Sequence, residues 1–335
     1  TELSPSEFHF ALLYLVRFIG ISGILMVTRD LTKKQSEKAF WVLISSSVLF
    51  ALAGFALFQI LPDFTEAGLT ELGWDPHIGR LTSTFLDPNF AAGLFAFLLA
   101  LLGGRFLREK KAKLKIWTLL AAFALGAGLL LTFSRSGLLA LGVSGLVLGI
   151  FVNRRILVAG AFIVLLGIAS SPRLAERIGE LAQSVESLGG ESQQTLDPTA
   201  QLRFDSWSEG WRIFEENSLI GVGFGAYKFH QDFSAEDSHA ATGSDSSLLN
   251  IAAMTGTLGF LVFGILLWNL ASAAWHSKNW GFLAGISGLL VHSIFVNSLL
   301  FAPIAAIFFV SAGLNTTKKI GARERIEAGS TTVPK

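Results

Sequence analysis

The chain has 335 residues, of which 51% are hydrophobic and only 15% are charged, and its formal net charge is +1 at pH 7. This balance excludes an ordinary water-soluble domain, and a net charge so close to zero excludes bulk attraction to nucleic acid. The sequence contains no cysteine, which excludes disulfides, thiol catalysis and cysteine-ligated zinc.

Long apolar runs dominate the sequence and predict transmembrane helices. Each run is apolar on all sides and dense in glycine and alanine, which let membrane helices approach closely. Because no alternating pattern indicates strands, the sequence predicts an all-α, polytopic helical bundle of about nine spans. We place the spans at residues 8–28, 40–60, 89–104, 116–133, 137–152, 156–171, 247–271, 280–299 and 302–314.

Clusters of lysine and arginine fall in every second connection between these spans. Since such clusters stay on the cytoplasmic side of a membrane, they predict the orientation of the bundle. The connections 61–88 and 172–246 then face outside. We expect four parts, namely six spans with short loops at 1–171, an extracytoplasmic loop domain at 172–246, three spans at 247–314 and a cytoplasmic tail at 315–335.

The long outer loop contains signals for two helices. Ser171-Pro172 and Asp197-Pro198 each combine a capping side chain with a first-turn proline. The second predicted helix carries an aromatic stripe formed by Leu202, Trp207, Trp211 and Phe214. This stripe predicts a helix that lies along the membrane surface or one that packs on the bundle, and both alternatives leave Arg203 near the outer interface.

Three arginines lie at outer helix ends or in outer loops with little acidic company, namely Arg80, Arg135 and Arg203. A guanidinium group binds phosphate through two hydrogen bonds and stays charged at any relevant pH. Each arginine could instead reach lipid headgroups or pair with a loop carboxylate. Three of them together favour a binding site for an anion outside the membrane.

Acidic residues and one histidine precede the seventh predicted span, in Glu236-Asp237-Ser238-His239 and at Asp245. A carboxylate or an imidazole there could supply a general base. With His230 and Asp232 the same residues could bind a divalent metal, although their spacing matches no ligand template. A solvated loop is the remaining alternative. We predict neither a bound metal nor a cofactor.

Four segments taken together resemble the O-antigen ligase and O-antigen polymerase-like membrane glycosyltransferases. They are Gly-Arg-Leu-Thr-Ser-Thr-Phe-Leu-Asp-Pro-Asn at 79–89, Thr-Phe-Ser-Arg-Ser-Gly at 132–137, Arg203 with Trp207 followed by Ile-Gly-Val-Gly-Phe-Gly at 220–225, and Asp-Ser-Ser-Leu-Leu at 245–249 followed by Thr-Gly-Thr-Leu-Gly-Phe at 255–260. The resemblance rests on their order, their spacing and their placement at the outer face.

The resemblance implies a metal-independent, inverting transferase in the bacterial cytoplasmic membrane, with its active site on the periplasmic or outer face. Such an enzyme moves a glycan from a polyprenyl diphosphate carrier to a hydroxyl of a glycan, lipid or protein acceptor. Arg135 and Arg203 match family positions and, with Arg80, would hold the diphosphate. Asn89, Asp87 and Asp237 are the residues that we expect to contact the acceptor or the sugar.

One departure from the family pattern concerns the general base. The seventh-span motif of the ligases usually opens with His-Asn, whereas this chain has Asp245 and Ser246, and Met254 stands where a glutamate often precedes the later Thr-Gly. We expect Asp245 to take the role of the base. His239 in that role, or an acceptor or activity that differs from the typical ligase, are the alternatives.

Two further functions stay open at this point. A repeat-unit polymerase would use the same donor but extend another carrier-linked chain, and the sequence does not choose between polymerase and ligase. A transporter or flippase of the same lipid-linked oligosaccharide is the rival class. Transporters place polar groups near the membrane midplane, where the candidates here are Arg17, His292 and Asn297.

Overall fold

The structure is a computed structural model that describes residues 3–157, 198–232 and 243–316. The described residues are helical, which confirms the predicted all-α class, and they form no strand beyond one isolated bridge between Asp63 and Ile78. The α-helices are α1 (Pro5–Arg29), α2 (Lys33–Ile60), α3 (Pro88–Arg108), α4 (Ala112–Leu131), α5 (Arg135–Phe151), α6 (Pro198–Glu216), α7 (Ser247–His276), α8 (Trp280–Phe295) and α9 (Ala302–Thr316). Short 3-10 helices occur at Thr70–Leu72, Ser83–Phe85 and Tyr227–Phe229.

Five of these helices, α1, α2, α3, α4 and α7, are long and apolar enough to cross a membrane. The helices α5, α8 and α9 are equally apolar in character but have only 17, 16 and 15 residues. The chain is therefore a multi-pass membrane protein. The count of about nine spans stays a prediction, because most of the predicted span 156–171 lies outside the described residues.

Side-chain caps explain where several helices begin. Ser4 with Glu7 and Thr32 with Gln35 form reciprocal capping boxes at the starts of α1 and α2. Asp87, Ser134 and Ser246 cap α3, α5 and α7 by accepting hydrogen bonds from backbone N–H groups of the first turn. Each cap satisfies donors that would otherwise have no partner.

Helix α3 lies at the centre of the bundle and packs against α4, α5 and α8. Helix α1 packs on α9, and α2 packs on α4. The backbones of α3 and α8 touch where Gly104 faces Gly281, since a Cβ added to Gly104 would lie 2.3 Å from the Cα of Gly281. Small residues thus set the distance between these two helices.

Polar contacts gather the basic connections at one end of the bundle, which we call the basic end. Arg105 of α3 pairs with Glu37 of α2 (Nη1 to Oε2, 2.8 Å), and Arg108 donates to Asn279 (2.7 Å). The Asn279 side chain donates in turn to Asn315 of α9 (2.7 Å). The opposite end, where α3, α5 and α7 begin, is called the site end.

Helix α7 is interrupted at Gly256, whose φ of 61° and ψ of −170° are not helical. The chain at 218–223 pairs with the interruption. The N–H of Val222 donates to the carbonyl of Ala253 (3.1 Å), and the N–H of Thr257 donates to the carbonyl of Ser218 (2.7 Å). These bonds supply partners for backbone groups that an unbroken helix would have paired internally.

The predicted eighth span, 280–299, is too long. Helix α8 ends at Phe295, because Val296 is extended (φ −146°, ψ 141°), and residues 296–301 turn back toward α9. Asn297 therefore lies in this turn and His292 in the last turn of α8. Neither residue occupies the middle of a span, where the sequence had suggested them as polar candidates for transport.

Candidate functional site

Arg80 joins the first long connection to the turn between α4 and α5. Its Nε donates to the carbonyl of Thr132 (2.9 Å), and its Nη2 donates to Oδ1 of Asn89 (3.1 Å). The neighbouring N–H of Leu81 donates to the carbonyl of Leu131 (2.8 Å), so side chain and backbone are held at the same turn. The guanidinium group thereby has a fixed position at the site end.

The amide oxygen of Asn89 has a second donor, the hydroxyl of Ser134 (2.9 Å). Ser134 also caps α5, and Arg135 follows it directly as the first residue of that helix. Arg80 and Arg135 are therefore brought to one connection of three residues, 132–134. Asn89 positions Arg80 through its side chain and shares the Ser134 hydroxyl with the start of α5.

Arg203 approaches the same region from α6. It is about one helical turn before Trp207, whose ring packs against Phe295 at the end of α8, and His292 in the last turn of α8 is 0% exposed. The ring of His292 packs on α3 so closely that a Cβ at Gly93 would lie 2.6 Å from its Cε1, and its Nδ1 is 2.8 Å from the hydroxyl oxygen of Ser298. Gly93 lies one helical turn after Asn89, so the end of α8 on which α6 packs lies beside the first turns of α3.

Asp245 lies beside the face of α6 that follows Arg203. Its backbone N–H donates to the hydroxyl of Ser206 (2.9 Å), and Ser206 is three residues after Arg203, which places both on one face of the helix. The side chain of Asp245 is partly buried. The next residue, Ser246, caps α7, so Asp245 stands at the start of that helix.

Tyr227 is a neighbour of Asp245 that the sequence interpretation missed. It is 1% exposed, and burial raises the pKa of Tyr227 above its ordinary value. The negative charges of Glu209 and Asp245 raise this pKa further. The phenol therefore stays neutral, and its ring packs in the apolar cluster with Ile213 and Ile251. The one signal that the sequence offered for Tyr227 is the rarity of tyrosine, since the chain contains only two.

Arg212, one turn beyond Trp207 on α6, has a structural task. It donates to Glu209 (Nη2 to Oε1, 2.7 Å) and to the carbonyl of His230 (2.8 Å), and it pairs with Asp232 (3.1 Å). His230 and Asp232, which the sequence had offered as metal ligands, are thus held by an arginine. These contacts fasten the chain at 230–232 to α6.

Glu209 is buried at 6% exposure, next to Arg212. Burial acts to raise the pKa of its carboxyl, but the hydrogen bonds from Arg212 and from the N–H of Asp232 (2.8 Å) outweigh it, and the pKa is lowered. The carboxylate therefore stays ionised at neutral pH and holds α6 to the following loop.

An apolar groove of about 380 Å³ lies along α6 beside Arg203. It is lined by Phe204, Trp207, Ser208, Trp211, Ser246, Leu249 and Ile294. The predicted aromatic stripe contributes its two tryptophans to this groove, and Trp207 packs against Phe295 of α8 with 5.8 Å between ring centroids. The stripe therefore packs on the bundle, as one of the two predicted alternatives has it, and it leaves an apolar surface; a position along the membrane surface stays a prediction.

The sequence of the region that forms this site resembles a known family. Residues 119–264 match the family model described as O-antigen ligase. This match confirms the predicted resemblance over α4, α5, α6 and the first part of α7. The matched segment includes Arg135, Arg203 and Asp245, whereas Arg80 and Asn89 precede it. No curated protein matches the chain.

Ahead of the matched segment, three residues could hold a metal ion. Asp75, His77 and Asp87 each offer one ligand atom, and these atoms lie within 4.8 Å of one another. One oxygen of Asp87 is already engaged, because Oδ1 caps α3 by accepting from the N–H of Asn89 (2.6 Å). The sequence did not predict this group, since the three residues are spread over an irregular connection.

Other predicted residues of the site have different outcomes. His239 and Asp237 lie outside the described residues, so their roles stay predictions. Asp87 caps α3, and Asn89 holds Arg80 and Ser134, which gives both residues structural contacts beside the predicted contact with sugar or acceptor. Arg17 lies in α1 with its guanidinium 4.1 Å from the ring centroid of Tyr14.

Proposed function

We propose that the protein is a metal-independent, inverting glycosyltransferase of the O-antigen ligase type. It moves a glycan from a polyprenyl diphosphate carrier to an acceptor hydroxyl at the outer face of the bacterial cytoplasmic membrane. The observation that supports this proposal most directly is that Arg80 and Arg135 meet at the connection 132–134, while the helix that carries Arg203 packs on the neighbouring end of α8. The match of residues 119–264 to the O-antigen ligase model supports the same reaction class.

The arginines act on the leaving group. When the bond between the anomeric carbon and the diphosphate oxygen breaks, negative charge grows on the diphosphate. Cations that are already in position lower the energy of this transition state more than that of the bound substrate. Asn89 and the carbonyl of Thr132 hold Arg80 in one orientation, so little reorganisation is needed during the reaction.

Asp245 acts as the general base in this proposal. The acceptor hydroxyl gives its proton to the carboxylate, its oxygen forms a bond to the anomeric carbon, and the diphosphate leaves from the opposite side with the electron pair. Attack opposite to the leaving group inverts the configuration. Asp245 fits this role because it lies at the start of α7. Its N–H donates to Ser206, which is about one turn along α6 from Arg203. His239 remains the alternative base.

The apolar groove on α6 suits the isoprenoid part of the donor. Its aromatic and aliphatic walls lie beside Arg203, so a diphosphate held at the arginines would place the first isoprene units along Trp207 and Leu249. Polymerase activity remains the alternative within this class, since it needs the same donor site.

Transport of the same lipid is supported less well. Two of its three midplane candidates, His292 and Asn297, lie at the end of α8 and in the turn after it. Arg17 remains, and it packs over Tyr14 within its own helix.

The proposal is tested by replacing each site arginine with lysine, which keeps the charge and loses the planar pair of donors. We expect the rate of consumption of a lipid-linked glycan by purified protein to fall at least about tenfold in Arg80→Lys, Arg135→Lys and Arg203→Lys. Arg155→Lys, an exposed arginine at the basic end, is the matched control and should keep the full rate.

Two outcomes would overturn this proposal. One is donor binding with no transfer to any acceptor in a broad panel. The other is loss of transfer after treatment with a chelator, which would contradict metal independence and point to Asp75, His77 and Asp87.

Deletion of the gene separates the two acceptor classes, because unlinked full-length polymer indicates a ligase and accumulated single repeat units indicate a polymerase.

A further inference from the structure

A second cavity lies at the basic end, at the opposite end of the bundle from the site. It has a volume of about 400 Å³ and is formed where α2, α3, α8 and α9 meet. Its polar rim consists of Lys33, Ser36, Glu37, Arg105, Arg108 and Asn279. Below this rim the wall is apolar and includes Phe40, Leu101, Phe282 and Leu314. We call it the basic-end cavity.

The charges of the basic-end cavity do not balance. The charge of Arg105 is paired with the carboxylates of Glu37 and Glu109 (Nη2 to Oε2 of Glu109, 3.0 Å). Arg108, in contrast, donates only to neutral acceptors, namely the carbonyl of Gly104, the carbonyl of Lys278 and the side chain of Asn279, among the described residues. Lys33 forms no ion pair with any of the described residues. Two cations therefore face the cavity without an acidic partner in the described ranges.

The positions of these cations favour an anion as the ligand of the cavity. The charges of Arg105 and Arg108 repel one another. Lys33 stands in the first turn of α2, where the helix dipole disfavours a positive charge and no acidic residue compensates for it. An anion between Lys33 and Arg108 would relieve both effects.

Two buried polar atoms at the cavity have no hydrogen-bond partner among the described residues. They are Nε of Arg105 and Nδ2 of Asn315, and both residues line the cavity. Buried donors without a partner are rare in folded proteins, because each costs free energy. Both atoms are themselves closed to solvent, so they mark a polar lining that packs imperfectly around the cavity.

The depth of the cavity identifies the kind of ligand. Trp41, one turn after Glu37, donates from its indole nitrogen to that carboxylate (2.8 Å). At the same end of the bundle Trp275, Trp280 and Phe151 form a cluster with ring centroids 5.1–5.3 Å apart. Tryptophans gather where membrane meets water, so the polar rim lies at headgroup depth and the apolar wall at acyl-chain depth.

We propose that the basic-end cavity binds the phosphate headgroup of an acidic phospholipid, with Lys33 and Arg108 on the phosphate and an acyl chain along Phe40 and Phe282. The donor of the proposed reaction is held at the other end of the bundle, so this lipid is neither substrate nor product. The bound lipid contacts α2, α3, α8 and α9 at the basic end and thereby links these four helices. The proposal does not depend on the transferase activity.

The test measures the melting temperature of the full chain in a neutral detergent while phospholipid is added. Dioleoylphosphatidylglycerol should raise the melting temperature in a saturable manner, whereas dioleoylphosphatidylcholine and free glycerol 3-phosphate should not. In Arg108→Gln and in Lys33→Gln the half-saturating concentration of phosphatidylglycerol should rise about fivefold, as expected for the loss of one cation near a phosphate.

Lys113→Gln is the matched control, because Lys113 is an exposed cation near the same end that does not line the cavity. It should keep the wild-type half-saturating concentration. An equal shift with phosphatidylcholine, an equal loss in the Lys113 variant, or a full shift with glycerol 3-phosphate alone would each overturn the proposal. Lys33 is exposed, so its variant keeps the test decisive if the Arg108 variant does not fold.

Discussion

The amide of Asn89 shows how a neutral side chain directs a charged one. Its single oxygen accepts from both Arg80 and Ser134 (3.1 and 2.9 Å), so the position of the guanidinium is tied to the cap of α5. The sequence interpretation identified Asn89 only as a possible contact to sugar or acceptor. Nothing in the spacing of Arg80 and Asn89 indicates that both meet the chain again at 132–134, because that contact depends on how α3 and α4 pack.

Glu209 leads to a prediction about stability and pH. In the folded protein the pKa of its carboxyl is below the ordinary value of 4.5, so its stabilising effect is fully present above that value and is lost as the pH falls through the lowered pKa. Glu209→Gln should therefore lower the free energy of unfolding by about 1–3 kcal/mol at pH 7. The difference from wild type should close below pH 4.5.

Thermal unfolding of both proteins between pH 3 and 7 measures this difference. Asp205→Asn on the same helix is the control. Asp205 is exposed, and its carboxylate accepts a hydrogen bond from Gln201 of the same helix. A constant gap between wild type and Glu209→Gln over the whole range would contradict a role for the ionised carboxylate.

Among the helices, α6 and α7 show what sequence patterns can and cannot predict. Helix α6 begins at Pro198 among the described residues, and its apolar face follows from the aromatic spacing, whereas the predicted cap Asp197 lies outside the described residues. The interruption of α7 was not predicted, because one glycine within an apolar run is common in membrane helices. The length of α8 was overestimated for a similar reason, since Val296 and residues 299–301 continue the apolar composition past the end of the helix.

The interruption of α7 yields a second prediction. Gly256 has a positive φ that side chains disfavour, and a Cβ there would lie 2.3 Å from the carbonyl carbon of Leu219. Gly256→Ala should cost at least about 1–3 kcal/mol and lower the melting temperature of the purified protein. Gly264→Ala in the same helix meets no atom within 4 Å and should leave the melting temperature unchanged.

Equal melting temperatures for the two alanine variants would mean that the pairing of 218–223 with α7 contributes nothing to stability. A fall in both would point to helix flexibility as the common cause. Only a selective fall for Gly256→Ala agrees with the observed backbone conformation.

For the molecule as a whole, basic connections between the spans alternate along the sequence with connections that are not basic. This alternation predicted which residues lie at the same end of the bundle. The contacts of Arg105, Arg108 and Asn279 bring those basic connections together. At the other end Arg80 and Arg135 meet at the connection 132–134, while the helix that carries Arg203 packs on the neighbouring end of α8. Chain order alone does not predict their convergence, since the Arg80 contact to Thr132 spans 52 residues. The fold class could be predicted from composition, whereas the site required the packing of helices distant in sequence.

The proposed orientation in the membrane can be tested with single cysteines, because the natural chain has none. Thr65→Cys lies in the connection between α2 and α3, and Lys113→Cys lies at the basic end, and both positions are exposed. An impermeant maleimide added to intact cells should label the first variant and reach the second only after lysis. Labelling of Lys113→Cys in intact cells would reverse the orientation and place the site inside.

The contact between Gly104 and Gly281 limits how the bundle could open for the bulky donor of the proposed reaction. Because these two backbones touch, α3 and α8 cannot separate at the basic end without losing that contact. Helix α6, by comparison, meets α8 and the start of α7 through side chains. Because side chains rather than touching backbones hold α6, we expect α6 to move more readily than α3 or α8 when the donor of the proposed reaction enters.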